Sequence, residues 1–351
     1  MKIALCTTTI HVPHALKLLR KCSADAKFFV AGDMKTPHAE VWKLLEEHCD
    51  PAAYIDQVPT PYVVDRGEAV PAYKCSEALG WNTIARRNIA FLEALKWGAD
   101  IIYSWDDDNL PLMCGGHFET FYFLFEYNAP FTGIKVGEPG EWFDPGTLLI
   151  PETPHRGIPH AMRGRGRYAS SIAKAKIGIA AGLVIGDPDI DATTRMEIRS
   201  DIGAVHLLGQ TGIVVDPHTW TVFNSQNTAV IRELIPAWFM MPNVGRHDDI
   251  YASLIVQRVA RERDLHVHFG PPFCYQQRNE HNLITDLRAE IDGMENVQKL
   301  ATLLDSIVIP HGWTVVDDTR RIYETLLHCE FLPRASVEAG LLWLEDVETV
   351  L

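Results

Sequence analysis

The sequence predicts an α/β fold, with a central, mostly parallel sheet flanked by helices and a mostly helical C-terminal extension. Three observations carry this reading. Short apolar runs alternate with helical periods from Ile3 to Ser104, the strand–helix–strand order of parallel-sheet units. Apolar residues make up 47 % of the 351 residues, enough for a sizeable core. Polar clusters follow three of the predicted strands, at the ends where ligands bind in open parallel sheets.

The elements follow in order. Ile3 to Cys6 is an apolar run that passes into Thr7, Thr8 and Thr9, and Leu16, Leu18 and Leu19 carry a helical pattern. Lys27 to Ala31 is a second strand, stopped by Gly32 and Asp33. His38 to His48 reads as a helix, and Tyr54 to Val64 as an extended, proline-broken piece. A helix over Trp81 to Trp97 ends at Gly98, a common helix stop. Asp100 to Ser104 is a third strand that runs into Trp105, Asp106, Asp107, Asp108 and Asn109. Residues 130 to 167 are rich in Gly and Pro and end in the basic stretch Arg163 to Arg167, where a mobile loop is expected. Ser170 to Gly182 reads as a helix, Gly186 to Asp191 as a turn entering another, Thr219 to Phe223 as a strand and Asn224 to Thr228 as a polar loop. Asp249 to Arg263 reads as a helix and Leu265 to Phe269 as a late strand. From Asn282 onward the pattern is mostly helical, apart from an extended piece near Ile307 to Val316. There is no internal repeat.

Composition narrows the function classes. The net charge is −14 and the pI about 5.5, which argues against a nucleic-acid coat but allows a phosphate-bearing ligand held by local cations or a metal. Seven widely spaced cysteines without a CxxC point away from a disulfide framework and toward a reducing, cytoplasmic setting. No apolar run approaches the ~18–20 residues of a membrane span, and the start of the chain is too short in apolar residues for a signal peptide.

Asp106, Asp107 and Asp108 carry the chemistry. Three adjacent carboxylates repel one another, and a divalent cation, Mg²⁺ or Mn²⁺, offsets that cost while sharing its shell with phosphate oxygens. Asp108 and Asp106 are the expected metal ligands, with Asp107 on the nucleotide side; an acidic helix start is the plain alternative. Arg86, Arg87 and Asn88, on the helix before that strand, are candidates for ribose or phosphate contacts. Thr7, Thr8, Thr9 and Asp33 are further nucleotide candidates, though turn and cap roles suit them equally. Asp249, with Asp248 beside it, opens a helix; it is an ordinary first-turn acid or a general base for an acceptor hydroxyl. Arg278 is expected to neutralise a diphosphate leaving group, and His281 to complete the metal shell. Asp187, Asp189, Asn224 and Gln226 suit sugar hydroxyls. Asp187, Asp189 and Asp191 lack the Gly, final Glu and length of a calcium loop. P-loop, dinucleotide and hydrolase-elbow motifs are absent.

The series Arg86-Arg87-Asn88-Ile89, Ile101 to Asn109, His155-Arg156-Gly157-Ile158-Pro159, Gly186 to Ala192, Phe223 to Thr228, Gly245 to Arg258 and Gln277 to Leu287 resembles the STELLO-type glycosyltransferases. More distantly it is similar to the reversibly glycosylated polypeptides, the UDP-arabinopyranose mutases. The resemblance implies a glycosyltransferase A fold, a nucleotide-sugar donor, probed as a UDP-sugar, and a Mn²⁺ or Mg²⁺ cofactor. It carries Asp106 to Asp108 over as the donor and metal motif, and Asp249 as the acid opening the acceptor-side helix. The implied division is a catalytic domain over residues 1–287, with a nucleotide-binding half 1–128 and an acceptor-side half 129–287, and an extension over 288–351. The expected activity is transfer of a sugar from the nucleotide to a small-molecule or glycan acceptor hydroxyl, in a chain that could form a homo-oligomer. The alternatives are a nucleotide-sugar mutase and a non-catalytic nucleotide-sugar-binding subunit.

Overall fold

A computed structural model describes the chain except residues 24, 57–61, 65–67, 71–72, 113–115, 126–129, 165–170, 199–200, 207–210 and 278–281, with the backbone alone at 62–64 and 68–70. In chain order the elements are β1 (Ile3–Thr8), α1 (Leu16–Cys22), β2 (Lys27–Ala31), α2 (His38–His48), β3 (Ala52–Ile55), β4 (Tyr62–Val64) and β5 (Glu68–Val70). Next come α3 (Arg87–Trp97), β6 (Ile101–Trp105), β7 (Asn109–Pro111), α4 (Glu119–Leu124), β8 (Phe131–Val136), β9 (Leu149–Ile150) and β10 (Ser171–Gly186). The remainder is α5 (Ala192–Glu197), β11 (Ala204–Val205), β12 (Ile213–Val215), β13 (Asn227–Ile231), α6 (Asp248–Arg261), β14 (Leu265–Gln276), α7 (Leu283–Ser306), α8 (Val315–Leu326) and α9 (Arg334–Val350).

The result is a mixed α/β architecture around a ten-stranded sheet of order β3-β2-β1-β6-β13-β10-β8-β12-β14-β7. Its first four strands are parallel. From β13 onward antiparallel pairings dominate, with β10–β14 and β8–β12 the parallel exceptions. The parallel half was legible because its strands are continuous apolar runs buried on both faces; the mostly parallel expectation fails beyond β6.

Two corrections concern single elements. Residues 171–186 form a strand, not a helix. Ala173, Ala175, Ala180 and Ala181 suit a helix by propensity, but hydrogen bonding to β8, β13 and β14 decides the outcome. The strand expected at Thr219 to Phe223 lies later, at Asn227–Ile231; Trp220 makes only an isolated bridge with Trp142. By contrast α2 begins and ends where its period does. Helix α3 stops at Gly98, whose φ of +81° is a left-handed cap.

Apolar cores lie on both faces of the sheet. Helices α3, α6, α7, α8 and α9 pack together on one side, and the 287/288 boundary falls inside α7. No helix among the described residues is long and apolar enough to cross a membrane.

Burial also makes the fold acid-sensitive. His117 and His268 are held down at about 4 and His247 at about 3, each by desolvation of the charged ring. Below pH ~6.5 the unfolded chain takes up protons that these rings refuse, so stability is lost as pH falls toward 4. At ~1.4 kcal/mol per pH unit per ring, the three set a slope of roughly 4 kcal/mol per unit. Carboxyls raised by burial, such as Asp144, work in the opposite direction and reduce it. Denaturant midpoints should therefore fall between pH 6.5 and 4.5, and His247→Leu should flatten the slope; equal slopes would refute this account.

Candidate active site

The register between β6 and β13 decides what surrounds the acidic triplet. Trp105 lies opposite Asn227 and Ser104 opposite Thr228, so the residues preceding β13 meet the end of β6. The Asp106 N–H donates to the Gln226 carbonyl at 3.0 Å, and the Asn109 N–H closes the turn onto the Asp106 carbonyl at 3.1 Å. Strand β7 then pairs with β14, placing Asn109 opposite Gln276. All three carboxylates sit in a partly exposed turn at the carboxyl end of the parallel half.

Each has a different partner. Arg87, 2 % exposed, donates from Nη2 to Asp106 Oδ1 at 2.7 Å. Its Nη1 donates to Ser104 Oγ and to the Ser225 carbonyl, both at 2.9 Å. Thr9 hydrogen-bonds Asp107 through its hydroxyl. Gln276 Nε2 donates to Asp108 Oδ2 at 3.3 Å. Burial raises the Asp106 carboxyl above its ordinary value; Arg87 opposes this and the charge of Asp108 adds to it. Asp107 is raised by burial, against the Thr9 hydrogen bond, with the charge of Asp106 adding to the rise.

A second cluster joins the first at Ser225. Asp249, 5 % exposed, accepts from the Ser225 N–H at 3.1 Å and from Arg156 Nη2 at 3.0 Å. Arg156 Nε also donates to Asp189 Oδ2 at 2.8 Å, and Arg246 Nη2 to Asp189 Oδ1 at 3.1 Å. Arg246 Nε continues to Glu290 on α7 at 2.8 Å, and Glu290 accepts from the Ala192 N–H at the start of α5 at 2.8 Å. Asp248 stays half-buried, and its carboxyl accepts from the Asp249 N–H at 2.9 Å. Desolvation first, then the neighbouring Asp249 charge, raises the Asp248 carboxyl.

The structure sorts the sequence-predicted residues. Thr9, Arg87, Asp106, Asp107 and Asp108 converge. Thr7 is buried and Thr8 donates to the Ala31 carbonyl at 3.0 Å, tying β1 to β2. Asp33 is buried and accepts from the Met34 N–H at 2.7 Å and the Thr83 N–H at 3.3 Å, so it fastens two loops. Arg86 donates to the Ser76 carbonyl at 2.6 Å, and its guanidinium lies 4.1 Å from the Trp81 ring centre. Asn88 makes a paired contact with the Met240 backbone at 2.9 and 3.0 Å. Arg86 and Asn88 are therefore interior scaffold, correcting their assignment as nucleotide contacts. Asn224 and Gln226 are buried and bond each other; Gln226 also reaches Asn109 and Gln276. They build the wall behind the carboxylates, and Asn224 also lines a small recess. Asp189 is drawn into the arginine cluster, and Asp187 pairs with Arg195 while its N–H donates to the Gln276 carbonyl at 3.0 Å. Arg278 and His281 lie outside the described residues.

Sequence reasoning missed Ser225, Gln276 and Arg156 as site residues. Ser225 and Gln276 sat in visibly polar runs, but only the β6–β13 and β7–β14 registers bring them to the triplet. Arg156 lies in the His155 to Pro159 piece of the resemblance, but nothing in its neighbours says that it pairs with Asp189 and Asp249.

Among the described residues, no group of three or more His, Cys, Asp or Glu side chains is arranged to hold a metal ion. Asp106 and Asp108 are nonetheless close enough for the charge of one to disfavour that of the other. Mg²⁺-type ions commonly bind one or two carboxylates and complete their shell with substrate phosphates and water. The donor set fits a cation shared with a phosphate and does not fit an all-protein cage. A recess of about 30 Å³ is lined by His155, Asp189 and Asn224, beside the arginine cluster. A much larger cavity, about 1130 Å³, is elsewhere, at the amino end of β6 between Ile101, Phe125, Trp313 and Val315. The chain matches no family model and no curated protein.

Proposed function

We propose that the chain is a metal-dependent glycosyltransferase of the glycosyltransferase A type. It would move a sugar from a nucleotide-sugar, in the first instance a UDP-sugar, to an acceptor hydroxyl. The observation that carries this reading is the carboxylate turn at the end of β6. Three carboxylates are held there at a sheet's carboxyl edge, each by a separate neutral or cationic partner. Asp106 and Asp108 would hold Mn²⁺ or Mg²⁺, which supplies charge stabilisation to a departing diphosphate. Asp107 and Thr9 would face the nucleotide, and Arg87 orients Asp106 and opposes the burial that raises its carboxyl.

On the acceptor side, Asp249 is committed to Arg156 and Ser225, whereas Asp248 is half-buried with a raised carboxyl. A general base works best with its pKa near the operating pH, so the base role suits Asp248 and the anchoring role suits Asp249. The rate should rise with pH through the titration of Asp248, because only the ionised carboxyl accepts a proton. Asp248→Asn should remove that limb and lower kcat by about 100-fold; an unchanged pH profile would remove Asp248 from the reaction.

The first test is a thermal-shift screen of nucleotide-sugars with and without Mn²⁺. A ligand present at ~100 times its Kd stabilises the folded form by about 2.7 kcal/mol. A metal-dependent rise in melting temperature with one donor supports the reading. No rise with any nucleotide-sugar would overturn it.

A further inference from the structure

We propose that Arg156 is a positioning residue that locks the acceptor-side cluster to the donor carboxylates through Asp249 and Ser225; as regards catalysis, this rests on the glycosyltransferase reading above. Arg156 is 4 % exposed, deeper than an arginine goes without a purpose for its charge. A buried guanidinium is costly unless its donors are met by carboxylates. Asp189, on Nε and Nη2, and Asp249, on Nη2, meet that need in large part, and the two anions are in turn held together by it.

The chain of contacts continues beyond the ion pairs. Asp249 accepts the Ser225 N–H, the Ser225 carbonyl accepts from Arg87 Nη1, and Arg87 Nη2 holds Asp106. Six consecutive groups, Asp189, Arg156, Asp249, Ser225, Arg87 and Asp106, thus connect the loop before α5, the loop after β9, the start of α6, the segment before β13, the start of α3 and the turn after β6. Each joint is a charge-assisted or backbone hydrogen bond, and the inner members Arg156, Asp249, Ser225 and Arg87 are buried. Such bonds are short and directional, so a shift of Asp249 is passed to Ser225 and then to Arg87. Arg156 holds the middle of the acceptor-side end, since Asp189 has Arg246 as a second cation while Asp249 pairs with Arg156. Removing the fork at residue 156 therefore releases Asp249 more than Asp189.

The fork shape is what matters. Arg156 Nε and Nη2 together grip Asp189, and that grip aims Nη2 at Asp249 as well; lysine keeps the charge, but its single ammonium lacks the two-donor edge that fixes this aim. Arg156→Lys keeps the interior charge-balanced and the chain folded; Arg156→Met tests the loss of charge.

The test is hydrogen exchange on the full chain, read at the amides of Ser225 and Asp106, with the Val256 and Val259 amides of α6 as internal controls. In Arg156→Lys the Ser225 and Asp106 amides should exchange about tenfold faster than in the wild type, while the controls hold. Unchanged exchange at both amides in Arg156→Lys would overturn the proposal. So would equal acceleration at the controls, which marks general loosening. With a donor identified, Arg156→Lys should lower kcat by about 100-fold, the usual cost of a small misplacement, with donor Kd within about threefold. A variant with wild-type kcat refutes the positioning role. If the wild type turns over no nucleotide-sugar, the glycosyltransferase reading falls, and the exchange result still decides whether Arg156 locks the two clusters.

Discussion

Asp108→Ala is expected to abolish turnover, by about 1000-fold or more, in a protein that folds normally. Removing one preorganised charge contact from a transition state costs about 100- to 1000-fold, and here the lost group is also a candidate metal ligand. Asp108 is partly exposed and accepts from the neutral Gln276, so solvent softens the effect of its loss on stability. Loss of the Mn²⁺-dependent thermal shift with unchanged stability in its absence would identify Asp108 as a metal contact. Retained turnover would remove it from the site. Asp108→Asn, which keeps the shape, should fail nearly as completely, because the anion and not the volume is required.

Arg87→Met should produce the largest loss of stability. The guanidinium is buried and serves Asp106, Ser104 and Ser225 together. Deleting one partner of a buried ion pair costs about 3–5 kcal/mol, because the remaining charge is left uncompensated. Asp106 keeps some solvent, its side chain being 26 % exposed, which places the expected loss toward the lower end of that range. Equilibrium urea denaturation measures it. The double variant Arg87→Met/Asp106→Asn should recover more than half the loss, since neither charge then stands alone. An additive double variant would show that Arg87 acts through packing.

These two residues also mark how far the sequence could be read. The carboxylate turn was legible because three acids after an apolar strand have few uses, and β6 was recognisable from its apolar run. Arg87 was legible only as one of a group, because helical spacing cannot tell which of Arg86, Arg87 and Asn88 faces β6; the packed structure sends Arg86 to Ser76, Asn88 to Met240 and Arg87 to Asp106. The parallel half followed from local alternation of strand and helix. The second half did not, because β10 owes its state to partners far away in sequence. Gln226 read as a ligand contact because polarity shows that a group needs a partner, without showing that the partner is Asn109 or Gln276.

Strand β10 has a consequence for assembly. In the first half, β1, β2 and β3 are joined by single helices and can pair as soon as each has emerged from the ribosome. Residues 176–186 of β10, however, pair with 265–276 of β14. Some ninety residues must be synthesised before that edge of the strand is satisfied. Contacts of such long sequence separation slow folding, since loop closure must precede any gain. The nascent chain therefore passes through a stage with an ordered amino-terminal sheet and an open β10 edge. That open edge, rather than the carboxylate turn, is where a chaperone would act and where overexpression would drive aggregation.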